Sequence, residues 1–110
     1  MNTLYNYARE KLLLSVNILA TSQGDVRSRL LEAYAEFHPL RKKHFPESLK
    51  KEWEWIDHSL TKFAPVYDAS GEVTANAIEN TLKRIKNTTG KKIAEKIFQL
   101  FYELHFNEAY

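Results

Sequence analysis

Apolar residues recur along this chain at intervals of three and four, with no long stretch of strict alternation, so the pattern predicts helices throughout. A first helix is expected over Thr3 to Thr21, with Tyr5, Ala8, Leu12, Val16 and Leu19 on one face and Gly24 placed to close it as a left-handed cap. The run Leu12, Leu13, Leu14 widens that face and suggests a central helix. Asp25 suits the N-cap of a second helix, Val26 to His38, because its carboxylate can accept from amides that the first turn leaves unpaired. Val26, Leu30, Ala33 or Tyr34, and Phe37 face inward, and Pro39 ends the helix.

The third helix has the sharpest stripe. Leu49, Trp53, Ile56, Leu60 and Phe63 follow one another at helical spacing on one narrow face, with Pro46 suited to the first turn. Pro65 and the turn from Asp68 to Gly71 then break the chain. Thr74 is the expected N-cap of a fourth helix, Ala75 to Lys86, with Val73 and Ile78 as a hydrophobic staple and Ile78, Leu82 and Ile85 buried. Asn87 to Gly90 is expected to separate it from a fifth helix, where Ile93, Ile97, Leu100 and Leu104 make one stripe and Phe98, Phe101 and Tyr102 a second. The fold class expected is therefore all-α, a compact bundle of about five helices in a single domain spanning the whole chain.

The apolar run from Leu12 to Ala20 does not read as a leader or a membrane span. Arg9, Glu10 and Lys11 in front of it mix signs, and the run is too short to cross a bilayer. The chain has no cysteine, which removes disulfides, thiol catalysis and thiolate metal sites and fits a reducing compartment, so the cytoplasm is the expected location.

Charge changes the picture more than composition does. Residues 41–51 carry +4, residues 52–80 carry −5, residues 81–96 carry +5 and residues 97–110 carry −2, within a chain whose net charge is only +2. Such segregation predicts a polarised surface that meets a charged macromolecule. Arg41, Lys42, Lys43 and His44 form a basic corner between the second and third helices, with Lys51 a little further on. Trp55 stands about 100° from the stripe of its own helix, and with this corner it is the expected contact site for a protein partner, an acidic one in particular. The alternative for Trp55 is packing under a loop or a neighbouring helix.

Thr89, Gly90, Lys91 and Lys92 make a second candidate. At a helix start they would offer free amides and positive charge to a phosphate or carboxylate, whereas a solvated turn with two surface lysines is the plainer account. A P-loop is excluded, since Ile85 stands where that motif requires glycine. If both basic clusters share a face, sequence-tolerant nucleic-acid binding becomes the second reading.

Phe98, Tyr102, Phe106 and Tyr110 recur every fourth residue, which fits either a central fifth helix or a homodimer contact through residues 93–110; the central helix is the reading adopted from the pattern. His38, His44, His58 and His105 lack the spacing that puts two ligands on one helix face, and Asp57, His58 and Ser59 diverge around a helix and cannot form a relay. The expectation is a non-enzymatic binding or regulatory module that needs no cofactor and no metal.

Overall fold

Asp25 performs the cap expected of it. In the computed structural model, which describes residues 2–110, its carboxylate accepts from the Ser28 amide at 3.0 Å and starts α2, Val26–Phe37. That bond and the Arg27 side chain hold the Asp25 carboxyl below its usual pKa. Gly24, just before it, has φ +97°, a conformation that other residues rarely adopt. Ahead of it, a 3₁₀ turn at Thr3–Tyr5 leads into α1, Asn6–Thr21. After α2, two further 3₁₀ turns, Lys42–His44 and Glu47–Leu49, lead into α3, Lys50–Leu60; α4 is Ala77–Arg84 and α5 is Asn87–Phe106. The expected all-α bundle is thus present among the described residues.

Two departures change how the bundle closes. Val66–Tyr67 (β1) and Val73–Ala75 (β2) pair antiparallel as a small hairpin, where only a turn was expected. Asp68 organises its tip by accepting from the Ser70 and Glu72 amides at 2.9 and 3.0 Å. The N-cap of α4 is therefore not Thr74, which lies in β2. It is Asn76, which forms a reciprocal capping box with Glu79 through bonds of 2.9 and 3.1 Å. α3 also stops short of Phe63, whose amide donates to the buried Thr81 hydroxyl at 2.9 Å while Arg84 covers its ring. The other four members of the α3 stripe are buried as expected.

Helix directions follow from cross-helix contacts. The Ser15 hydroxyl reaches the Ala33 carbonyl at 3.4 Å, which places the middle of α1 against the later part of α2. Gly90, near the start of α5, packs on Val26, Arg27 and Leu30 at the start of α2, whereas Leu104, near its end, accepts from Arg9 near the start of α1. α5 therefore runs with α2 and against α1. Arg9 is buried, and its guanidinium donates to the carbonyls of Leu104, Asn2 and Tyr110 and to the Asn6 side chain, tying both chain ends together. Among the described residues no buried side-chain polar atom lacks a hydrogen-bond partner.

Candidate functional site

The two tryptophans of α3 have opposite fates. Trp53 is buried, stacked on Phe45 with ring centroids 5.1 Å apart and meeting Phe37 edge-on at 5.8 Å. Trp55 is 44% exposed, so it does not pack under a neighbouring element. Lys51 and Ser59, one turn before and after it, share its face of the helix.

The basic corner lies beside α3. A groove of about 640 Å³ between α2 and α3 is lined by Tyr34, His38, Arg41, Lys42, Lys43, Glu54 and Asp57. Glu54 stands about 100° from Trp55 around the helix, with Lys51 between them, and a second groove lined by Lys42, Lys51 and Glu54 joins the corner to the flank that carries Trp55. Much of the corner serves the fold itself. The Arg41 guanidinium donates to the His38 and Leu40 carbonyls at 2.8 and 2.9 Å, and Lys42 pairs with Glu54 at 3.3 Å. His44 accepts the Arg41 amide on Nδ1 at 2.9 Å and packs against Tyr7 at a centroid distance of 5.0 Å. Partial burial, followed by the charges of Lys43 and Arg41, pushes the His44 pKa below its ordinary value. Burial, and then the Asp57 carboxylate, raises that of Tyr34.

The second candidate is rearranged more deeply. Asn87 to Gly90 does not interrupt the chain, because α5 begins at Asn87 and Lys86 is its N-cap. Gly90 is buried within the helix, and its amide already donates to the Lys86 carbonyl at 3.0 Å. Thr89, Gly90, Lys91 and Lys92 therefore do not form the expected cradle of free amides: Gly90 is a packing residue, and Lys91 and Lys92 project from the second turn. The clusters also lie apart. Lys83 to Lys92 belong to the end where α5 meets the start of α2, while Arg41 to His44 follow the end of α2, a helix of 12 residues and so about 18 Å long; Lys96 alone of the second cluster shares a groove with Leu49 and Glu52 at the start of α3.

Of the four aromatics that the sequence pattern assigned to a central helix, three are exposed, whereas Tyr110, beyond the end of α5, is partly buried against the core with its ring edge-on to Tyr5. Phe98 is 49% exposed, Tyr102 53% and Phe106 65%, and their successive ring centroids lie 6.2 and 4.9 Å apart along the outer face of α5. Phe101 and His105 are half-buried beside them, with centroids 4.3 Å apart. Leu13 and Leu14 likewise face solvent, so the three-leucine run of α1 does not mark a central helix. Grooves flank the aromatic ridge. One of about 780 Å³ has Val16, Leu19, Ala20, Val26, Ala94 and Phe98 along it, and one of about 560 Å³ has Leu49, Glu52, Lys96, Leu100, Tyr102 and Glu103. The fourfold recurrence of aromatics was the signal in the sequence, and what it could not tell was which way they face.

No family model, curated protein or solved structure matches the chain. Function is therefore read from its surface. Among the described residues no three His, Asp or Glu side chains converge where a metal ion could be held, and no helix is long and apolar enough to cross a membrane. The exposed aromatics can provide desolvated anchors, with lysine and glutamate at their rim.

Proposed function

We propose that this chain is a small, non-enzymatic cytoplasmic module that acts by protein–protein contact, with Trp55 as an anchor. The observation that carries this reading is a tryptophan left 44% exposed on a helix whose other tryptophan is fully packed. Burying the free part of such a ring contributes on the order of 2 kcal/mol at a contact, and tryptophan is enriched among residues that dominate binding. Lys51 beside it favours a partner with acidic groups at the rim. Replacing Trp55 with Ala should leave the helical circular dichroism spectrum unchanged and abolish capture of a protein that the wild-type chain retains from an extract of its source. Equal capture by both proteins would remove Trp55 from the contact.

A second reading, sequence-tolerant nucleic-acid binding, is favoured by Lys43, Lys51, Lys91 and Lys92, which form no ion pair among the described residues. The separation of the basic clusters limits how many phosphates one surface can neutralise. Oligonucleotide affinity that falls steeply with salt would support this reading, and affinity insensitive to salt would refute it.

A further inference from the structure

We propose that the groove between α1 and α5 binds an amphipathic anion, an apolar chain of medium length ending in a carboxylate or phosphate, with Arg29 and Lys91 at its head and Phe98 at its tail. This site is separate from Trp55 and stands whether or not the Trp55 contact does.

The groove exists because α5 is held at two points while the side chains between them are small. Gly90 lets the start of α5 press on Val26, and Arg9 of α1 bonds to Leu104 near the other end. The two helices run antiparallel, so the bond from Arg9 to Leu104 sets Ala20 near the level of Ala94 and Val16 near that of Phe98. Facing alanines do not fill the space between two helices. About 780 Å³ is left there, a volume within the range of small-molecule sites. Val16, Leu19, Ala94 and Phe98 give it apolar walls, and Phe98 is 49% exposed, so a ligand can cover half of that side chain.

Both cations of the groove stand at one end, where α1 finishes and α2 begins. The Arg29 guanidinium is fixed there, because Nε donates to the Gly24 carbonyl at 3.2 Å and Nη1 to the Leu19 carbonyl at 2.6 Å. Among the described residues its Nη2 has no hydrogen-bond partner, and neither Arg29 nor Lys91 forms an ion pair. Nearby carboxylates are already engaged. Asp25 accepts from the Ser28 amide and pairs with Arg27 at 3.1 Å, and Glu32 accepts from the Ser22 hydroxyl at 2.6 Å. Glu95, one turn along α5 from Lys91, is the one free carboxylate lining the groove among the described residues, so two cations outnumber it. An anionic head can therefore take the remaining donors of a guanidinium that is held in place beforehand, with Lys91 closing from the other wall.

Length selects the chain. From Lys91 to Phe98 is seven residues of helix, about 10 Å, the reach of about eight extended methylene groups. A cationic head on the same chain would bring no acceptor to Nη2 of Arg29 and would add charge beside two cations.

Isothermal titration of the whole chain with decanoate, below its micelle concentration, tests this against decyl phosphate, decyltrimethylammonium and acetate. The expected result is one site with a Kd of about 0.1 mM for decanoate, binding of the cationic chain weaker by about tenfold or more, and none of acetate. Whichever of decanoate and decyl phosphate binds more tightly identifies the head, and either order supports the site. Lys91→Glu should weaken decanoate binding about tenfold, and Ala94→Phe should abolish it by filling the groove. Ala20→Phe, at an exposed position on the facing wall, provides the same test should Ala94→Phe lose its helical spectrum. No saturable binding of either anion overturns the proposal. Equal affinity for the anionic and cationic chains overturns it too, as does binding that survives both Lys91→Glu and a filled groove.

Discussion

Replacing Gly90 with Ala sets two opposing effects against each other at one carbon. Alanine in place of glycine inside a helix gains about 1 kcal/mol of helix propensity, and on an open surface this variant would stabilise the protein. Here a Cβ on Gly90 would lie 2.9 Å from Cγ1 of Val26 and 3.6 Å from both Cγ of Arg27 and Cδ1 of Leu30. The first distance is too short to persist, and Val26 is β-branched and held in the first turn of α2, so it cannot rotate away freely. Overpacking of this kind costs about 1–3 kcal/mol, which exceeds the propensity gain and leaves a net loss of about 1 kcal/mol. For a domain of this length the loss corresponds to about 4 °C in Tm. Truncating Val26 to Ala removes the obstructing atom, so in that background Gly90→Ala should raise stability instead. Urea titrations of the four proteins, followed by circular dichroism, measure the coupling. If Gly90→Ala were equally stabilising with and without Val26, the close approach of α5 to α2 described above would be wrong.

Three other expectations follow from contacts within the fold. Arg9→Ala should cost about 3 kcal/mol or more in urea unfolding, because it leaves the Leu104 and Tyr110 carbonyls without their buried donor, and Arg9→Lys should not restore the loss since it lacks the planar fork; a change below about 1 kcal/mol would refute this role. Asn76→Ala should destabilise by about 1 kcal/mol through loss of the α4 cap, and Thr74→Ala, at the cap expected from sequence, should leave α4 intact by the same titration. His44 is held neutral in the fold, with its pKa below the ordinary 6.5, so the unfolded chain binds its proton first. Its stabilising contribution is present above pH 6.5 and is lost as pH falls through the lower folded value, because partial burial and the charges of Lys43 and Arg41 disfavour the protonated ring. His44→Asn should flatten that part of the stability–pH curve, and an unchanged slope would show that another group sets it.

The parts of this fold that were legible in the sequence are those where one local rule acts without competition. Leu49, Trp53, Ile56 and Leu60 form a stripe narrow enough that only one face of α3 could be inward, and Asp25 stands where a cap and an apolar stripe agree. Errors arise where two local rules compete. Thr74 and Asn76 are both competent caps, and the pairing of β1 with β2 draws Thr74 into a strand and leaves Asn76 to start α4. Gly90 carries the composition of a break, yet its missing side chain is what lets α5 approach Val26, so a tertiary contact rather than a turn accounts for the glycine. Periodicity fails differently for the aromatics of α5. Spacing identifies residues that share a helix face, but it contains no term for whether another element covers that face. α5 already buries Ile93, Ile97, Leu100 and Leu104 against the other helices, and among the described residues no element covers the side opposite. A second apolar stripe on such a helix has to meet either water or another molecule. With Phe98, Tyr102 and Phe106 each about half exposed or more, the interior of this bundle is complete without them, and the same period-four pattern that would mark a core helix in a larger protein marks a surface in this one.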